Sequence, residues 1–179
     1  MKRSMLSILV IFIALMVPAV ATASVVISDP ISVVVSDTGS NHIFIAKGPG
    51  YGIANGLGYI KLIGNNANSS NVSVDLYSVP GNGYLELVNV LEINNTLKSG
   101  EFANVTLSTS SMPSGVFLYY NNTSQSKVVG GTITGVNVSA TDNTATFQVN
   151  SGSSPVYLSF LVMGGSAGTG SITFSYSIN

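Results

Sequence analysis

The residues of this chain that could perform chemistry are few and lie far apart in sequence. Gly164-Gly-Ser-Ala-Gly168 matches the G-x-S-x-G nucleophile elbow, which needs a helix after the serine and a histidine downstream. A β-rich run follows instead, and the single histidine, His42, lies upstream. Ser124-Gln-Ser-Lys127 matches S-x-x-K but lacks the companion motifs. Neither match predicts a hydrolase.

The acidic residues also fail to predict a catalytic or metal site. Glu86 and Glu92 share one face of a strand pattern, where their spacing corresponds to about 20 Å, too far for the paired carboxylates of a glycosidase. Asp37, Asp142 and Asn143 could help to ligate calcium, yet no EF-hand loop pattern is present. A zinc ion would lack ligands, since the chain has one histidine and no cysteine. We expect a protein that is not an enzyme and holds no cofactor or metal.

The first 23 residues have the pattern of a secretion signal. Met1-Lys2-Arg3 is a short basic head, Leu6–Val17 is apolar, and Ala21-Thr22-Ala23 is a small-x-small cleavage site. A transmembrane segment over Leu6–Val20 is the alternative, but its length of about 15 residues is shorter than the roughly 20 that a span requires. We expect cleavage after Ala23 and an extracellular or cell-surface protein with no membrane segment once residues 1–23 are removed.

Cleavage would leave residues 24–179, the size of one domain with a substantial core. This part of the chain holds four lysines, no arginine and seven acids, for a formal net charge of −3. With so few charged residues, the surface has no positive patch that would bind nucleic acid or an anionic membrane. The low charge also permits self-association. The absence of cysteine excludes disulfides.

The pattern after residue 24 is that of an all-β protein. Short alternating runs such as Ser171–Ile178 recur about every ten residues, with Gly, Asn, Ser and Pro between them. Pro80–Gly83 predicts a hairpin turn, Gly48–Gly58 a loop over the edge, and Lys127–Ser139 a long strand. We predict a single antiparallel β-sandwich, jelly-roll-like, whose body spans residues 37–179.

Residues 24–36 form a largely one-sided strand ahead of that body. The apolar odd positions are Val25, Ile27, Ile31, Val33 and Val35. An extended strand of this kind must join a sheet, either its own or a neighbour's. Pro30 cannot donate to a ladder, which favours a break there and leaves Ile31–Val35 as the stronger part. Asp29 lies on the apolar face and needs a partner or water.

Asn-x-Ser/Thr sequons recur along the chain. Their acceptor residues are Asn68, Asn71, Asn94, Asn104, Asn121, Asn122 and Asn137. In a chain rich in Asn, Ser and Thr some sequons arise by chance, and the overlap of Asn121 with Asn122 leaves room for one glycan. The secretion signal supplies the compartment that the modification requires, and glycan would supply the solubility that sparse charge does not.

Two stretches carry a resemblance to a known family. Gly58–Tyr77 is a strand–Asn-rich turn–strand unit, and Val156–Met163 with Gly168–Ile178 is a closing hairpin. Together with the cleaved signal and the apolar first strand, they make the chain resemble the subunits of archaeal threads and bundling pili, which are similar to the TasA/camelysin biofilm-fibre family. The resemblance implies donor-strand complementation, in which the N-terminal strand of one subunit fills a groove in the next. The protease activity described for camelysins is not implied, because H-E-x-x-H is absent.

Physical reasoning leads to the same mechanism. The sequence also allows the alternative that the sandwich is self-sufficient and keeps its own first strand. β-Augmentation joins a free strand to a sheet, and head-to-tail contacts generate filaments. We expect a secreted homopolymer subunit with a role in cell–cell adhesion or biofilm formation, with lateral contacts between filaments left open. The alternative is a monomeric cell-surface or carbohydrate-binding sandwich. Its stacking surface would be Tyr51, Tyr59, Tyr119 and Tyr120.

Glycosylation predicts a mass shift. The natively secreted protein should exceed the mass of polypeptide 24–179 by several sugars, because exported sequons are glycan acceptors. Intact-mass spectrometry measures this directly. The same chain made in a host that does not glycosylate should have the bare polypeptide mass, and a native protein with that same mass would contradict the prediction.

Overall fold

The computed structural model describes residues 31–37, 42–63, 71–77, 81–110, 112–125, 133–166 and 169–179. In these residues the strands, in chain order, are β1 (Ile31–Asp37), β2 (Ile43–Lys47), β3 (Ile60–Ile63), β4 (Asn71–Leu76), β5 (Tyr84–Asn95), β6 (Phe102–Ser110), β7 (Val116–Asn121), β8 (Val136–Asn137), β9 (Thr144–Asn150), β10 (Val156–Met163) and β11 (Thr169–Ile178). A short helix, α1 (Tyr51–Gly56), lies between β2 and β3, and a 3₁₀ turn (Val138–Ala140) follows β8.

The strands form two sheets. One has six strands in the order β3-β4-β1-β11-β6-β9, and the other has five in the order β2-β5-β10-β7-β8. The ladders are antiparallel except the one between β1 and β11, which is parallel. The sheets pack against each other, which confirms the predicted all-β sandwich.

Alternation of side chains along the strands builds the core between the sheets. In β9, Ala145, Phe147 and Val149 are buried while the residues between them are exposed. Phe174 from the six-stranded sheet and Phe160 from the five-stranded sheet are fully buried in the same apolar cluster. In strands with this alternation, the face toward the other sheet is apolar and the opposite face meets solvent.

Most connections cross from one sheet to the other. Of the strands that follow each other in the chain, only β3–β4 and β7–β8 pair in the described residues. The predicted pairing within Gly58–Tyr77 is confirmed, but the hairpins predicted at Pro80–Gly83 and after Met163 are wrong, because β4 and β5, like β10 and β11, lie in different sheets. Turn residues indicate a change of direction, and they do not identify the partner of the next strand.

Two further local predictions are corrected. Gly48–Gly58 contains α1, in which Tyr51 and Ala54 are buried, where a loop was predicted. Within Lys127–Ser139 the described residues form the two-residue strand β8 and then enter the 3₁₀ turn, so the long strand is not found there. No helix in the described ranges has the length and hydropathy needed to cross a bilayer.

A bulge in β5 gives the sandwich its most constrained contact. Between Leu87 and Leu91 the strand contains two residues more than the facing stretch of β10. Asn89, inside the bulge, is fully buried with a φ of +50°. Its N–H donates to Ser159 Oγ at 2.8 Å, and its carbonyl accepts the Gly50 N–H at 2.9 Å. The start of the α1 segment is thereby fixed to the middle of β5.

This contact requires glycine at position 48. A Cβ there would lie 2.2 Å from the Asn89 carbonyl oxygen, so Gly48→Ala should lower the free energy of unfolding by about 1–3 kcal/mol through overpacking. Gly52→Ala is the matched control, because a Cβ in α1 meets no atom within 4 Å. It should raise stability by up to about 1 kcal/mol through helix propensity. Chemical denaturation measures both changes, and equal stabilities of the two variants would contradict the assignment.

Candidate functional site: the strand slot

β1 lies in the middle of the six-stranded sheet, between β4 and β11. It runs antiparallel to β4, with Ile31 opposite Leu76, and parallel to β11, with Asp37 opposite Phe174. β4 and β11 are not neighbours in the sheet. We refer to the position between these two strands as the strand slot. In the structure the chain's own β1 occupies it.

The apolar odd positions of β1 lie opposite buried residues of the two neighbouring strands. Positions 31 and 33 lie opposite Leu76 and Val74 of β4, and position 35 lies opposite Ile172 of β11. All three of these partner side chains are fully buried. Because directly opposed residues in a ladder share a face of the sheet, the odd register positions of β1 belong to the face that meets the core. The sequence fills these positions with Ile31, Val33 and Val35.

The predicted donor segment overlaps β1 without coinciding with it. The described strand ends at Asp37, one residue beyond the predicted end, because the ladder with β11 continues through that residue. Val25 and Ile27 lie outside the described residues, as do the predicted signal 1–23, the sequon acceptor Asn68 and the side chain of Asn71.

A surface pocket lies beside the Ile31 end of the slot. Its volume is about 250 Å³, and its lining residues are Asn55, Gly58, Ile60, Lys61 and Tyr77. Ile60 pairs with Leu76, the residue opposite Ile31. Sequence reasoning missed this pocket because its walls come from the end of α1, from β3 and from the end of β4.

The described sequons differ in accessibility. The side chains of Asn104 and Asn122 are exposed. Asn121 instead donates to the carbonyl oxygen and the hydroxyl of Thr134, at 3.3 and 3.2 Å. Asn137 caps the 3₁₀ turn, its side-chain oxygen accepting a backbone N–H of that turn at 3.3 Å. Asn104 and Asn122 therefore offer the best access to a glycosyltransferase.

Asn94, the acceptor of a further sequon, is hydrogen-bonded to a carboxylate. Its Nδ2 donates to Glu92 Oε1 at 2.7 Å on the outer face of β5. Burial raises the pKa of the Glu92 carboxyl above its ordinary value, and the hydrogen bond from Asn94 opposes that rise. A glycan on Asn94 would join this same nitrogen and leave one N–H to make the bond.

The residues that matched catalytic motifs are not brought together. Ser166 is buried beside Met163, which lies opposite Tyr84 at one end of the twelve-residue β5. His42 is exposed and adjoins β2, whose Ile43 pairs with Asn95 at the other end of β5. No group of three or more metal-ligating side chains occurs in the ranges that the structure describes. Lys127 lies outside them.

The tyrosines do not form one stacking platform. Tyr51 is buried, and its hydroxyl accepts the Leu62 N–H at 3.1 Å. Tyr120 stacks on Phe147 of the core with ring centroids 4.9 Å apart. Tyr119 immediately precedes Tyr120 in β7 and so faces the opposite side of the sheet.

The raised pKa of Glu92 predicts a pH dependence of stability. The folded protein binds this proton more tightly than the unfolded chain, so the free energy of unfolding should fall as pH rises from the ordinary glutamate pKa through the raised value. Glu92→Gln should remove that decline. Glu86→Gln, on the same strand face, should retain it. Denaturation curves across this pH window measure the slope, and an unchanged slope in Glu92→Gln would contradict the assignment.

Comparison with known proteins gives no relative. No family model matches the chain, and no curated protein or solved structure matches it. The likeness to thread and bundling-pilus subunits thus remains a resemblance in sequence pattern. Function is inferred from the strand slot and from the segment that fills it.

Proposed function

We propose that this protein is a secreted structural subunit that assembles head to tail into an extracellular filament, with a role in cell–cell adhesion or biofilm formation. Each copy would place its β1 in the strand slot of a neighbour. The observation that carries the proposal is the central position of β1, the first described strand, between two strands that do not pair with each other.

Exchange between copies preserves the contacts of the slot. A neighbour's β1 would make the same ladder to β4 and β11 as the chain's own β1, in the same register. The two arrangements differ in the conformation of residues 38–42, which connect β1 to β2 in the opposite sheet, and in the entropy of association. Swapping an identical element is for this reason a low-cost route to assembly.

A slot in the middle of a sheet also requires an occupant. Removing β1 would leave β4 and β11 with unpaired edges and would uncover Val74 and Ile172 of the core. Open edges of this kind attract other strands. A molecule whose β1 has been donated therefore accepts the β1 of another copy, and when this transfer is not reciprocal it continues from copy to copy.

A disulfide trap on the outer face of the sheet tests the exchange. Val34 lies opposite Ser73, and the chain has no cysteine, so Val34→Cys with Ser73→Cys should link the donated β1 to β4 of its acceptor. A non-reducing denaturing gel of assembled protein should show a ladder of multimers, and electron microscopy should show fibres. Either single-cysteine variant should give no regular ladder.

Two added substitutions test whether the ladder depends on the slot. Val33→Asp puts a charge at the core-face position opposite Val74 and should abolish the ladder, whereas Ser36→Asp, opposite Asn71 on the outer face, should retain it. Cross-linked monomers alone would overturn the proposal in favour of a monomeric sandwich. Cross-linked dimers alone would indicate reciprocal exchange and overturn the head-to-tail arrangement.

A further inference from the structure

β9 forms one edge of the six-stranded sheet and pairs on its other side with β6. Backbone bonds at the two ends of this ladder fix its phase. The Asn143 carbonyl accepts the Thr109 N–H at 2.8 Å, and the Ser151 N–H donates to the Glu101 carbonyl at 3.0 Å. Because hydrogen bonding alternates along an antiparallel strand, the odd positions of β9 bond to β6, and the even positions turn their N–H and C=O groups outward.

Two of these even positions, Thr146 and Gln148, are open. At the ends of β9, the Thr144 N–H and the Asn150 carbonyl are bonded to residues of the adjoining turns at 2.9 and 3.1 Å. Within the described residues, no backbone bond reaches the outward side of Thr146 or Gln148, and both residues are exposed. A row of unpaired N–H and C=O groups is a template for another strand.

β9 lacks the features that protect the other edges of the two sheets. β3 and β2 carry Lys61 and Lys47, and the Leu62 N–H of β3 is bonded to the Tyr51 hydroxyl at 3.1 Å. β8 has only two residues. β9 has seven residues, with no charged side chain and no proline. Since charge, proline and short length are what keep edges from pairing, β9 is the edge that remains available to a second chain.

A second copy of β9 matches this edge in register. When two β9 strands lie antiparallel about a twofold axis at Phe147, Thr146 of each copy lies opposite Gln148 of the other, and each pair exchanges both backbone bonds. The two Phe147 side chains then meet on the core face, where directly opposed residues pack closely. With no charge on β9, the two copies do not repel each other. Val136, opposite the Tyr120 that stacks on Phe147, adds an apolar side chain that is 41% exposed.

We propose that β9 is a self-complementary docking edge, through which two copies join their six-stranded sheets into one continuous sheet about a twofold axis at Phe147. The inference goes beyond the proposed function and does not depend on strand exchange, because β11 and β6 lie between β1 and β9. The exposed sequon acceptor Asn104, opposite Gln148, projects from the face of the sheet, so a glycan there leaves the backbone of the edge open.

Two single-cysteine variants of mature chain 24–179 test the register. When Thr146→Cys and Gln148→Cys proteins are mixed under mild oxidation, a disulfide-linked dimer should form, because directly opposed residues lie within disulfide reach. Each variant alone should give several-fold less dimer, since equal positions of two copies are diagonal neighbours about 7–8 Å apart. No dimer in the mixture, or as much dimer in each variant alone, would overturn the inference.

Amide hydrogen exchange tests the contact without cysteine. In the wild-type protein, protection of the Gln148 amide should rise several-fold with protein concentration, while the Phe147 amide, which bonds to β6, should change little. Thr146→Pro removes an outward N–H and no ladder bond, so it should abolish the rise at Gln148. Thr146→Val keeps that N–H and should retain the rise. Exchange at Gln148 that does not depend on concentration would contradict the docking edge.

The two cysteine traps separate this inference from the proposed function. Dimers linked between positions 146 and 148, with only monomers from Val34→Cys with Ser73→Cys, support the docking edge and contradict strand exchange. Multimers from the slot trap, without any link between positions 146 and 148, overturn the docking edge and leave the exchange standing.

Discussion

The six-stranded sheet depends on the two ladders that β1 makes. β4 and β11 are not neighbours, so the backbone hydrogen bonds of β1 join the β3-β4 pair to the β11-β6-β9 group. Val74 and Ile172, on either side of the slot, are fully buried in this continuous sheet. A central strand therefore sets both the integrity of the sheet and the closure of the core, which an edge strand of the same length would not do.

Much of this architecture is readable from local sequence, because a strand with one buried face has period two. β9 alternates buried and exposed residues along its whole length, and the odd apolar positions of β1 fall in register with core residues of both neighbours. The sandwich was predicted on such patterns. The end of β1 was predicted one residue early, because only the pairing of Asp37 with Phe174 shows that the ladder continues through this residue.

Partners of strands, in contrast, are set by contacts between distant segments. Gly81 and Gly165 both have positive φ in turns, yet the strands flanking each turn enter different sheets. α1 is six residues long and is held through Tyr51 and Ala54, too few positions to show a period. Asn89 lies at an odd position of β5, on the apolar face of the period-two pattern, and only the bulge against β10 shows why a polar residue stands there, since its N–H donates to Ser159. The pocket beside the slot, with walls from three segments, has no local pattern at all.

The parallel ladder between β1 and β11 sets an order of events during biosynthesis. Residues 38–168 separate the two strands, so a ribosome makes β1 long before the second wall of its slot exists. Contacts of such long sequence separation form slowly. In each newly made molecule, β1 thus exists for an interval before β11, the second strand of its slot, has been synthesised. In the proposed assembly, the concentration of sister molecules during that interval would set how often β1 pairs with another copy instead of its own chain.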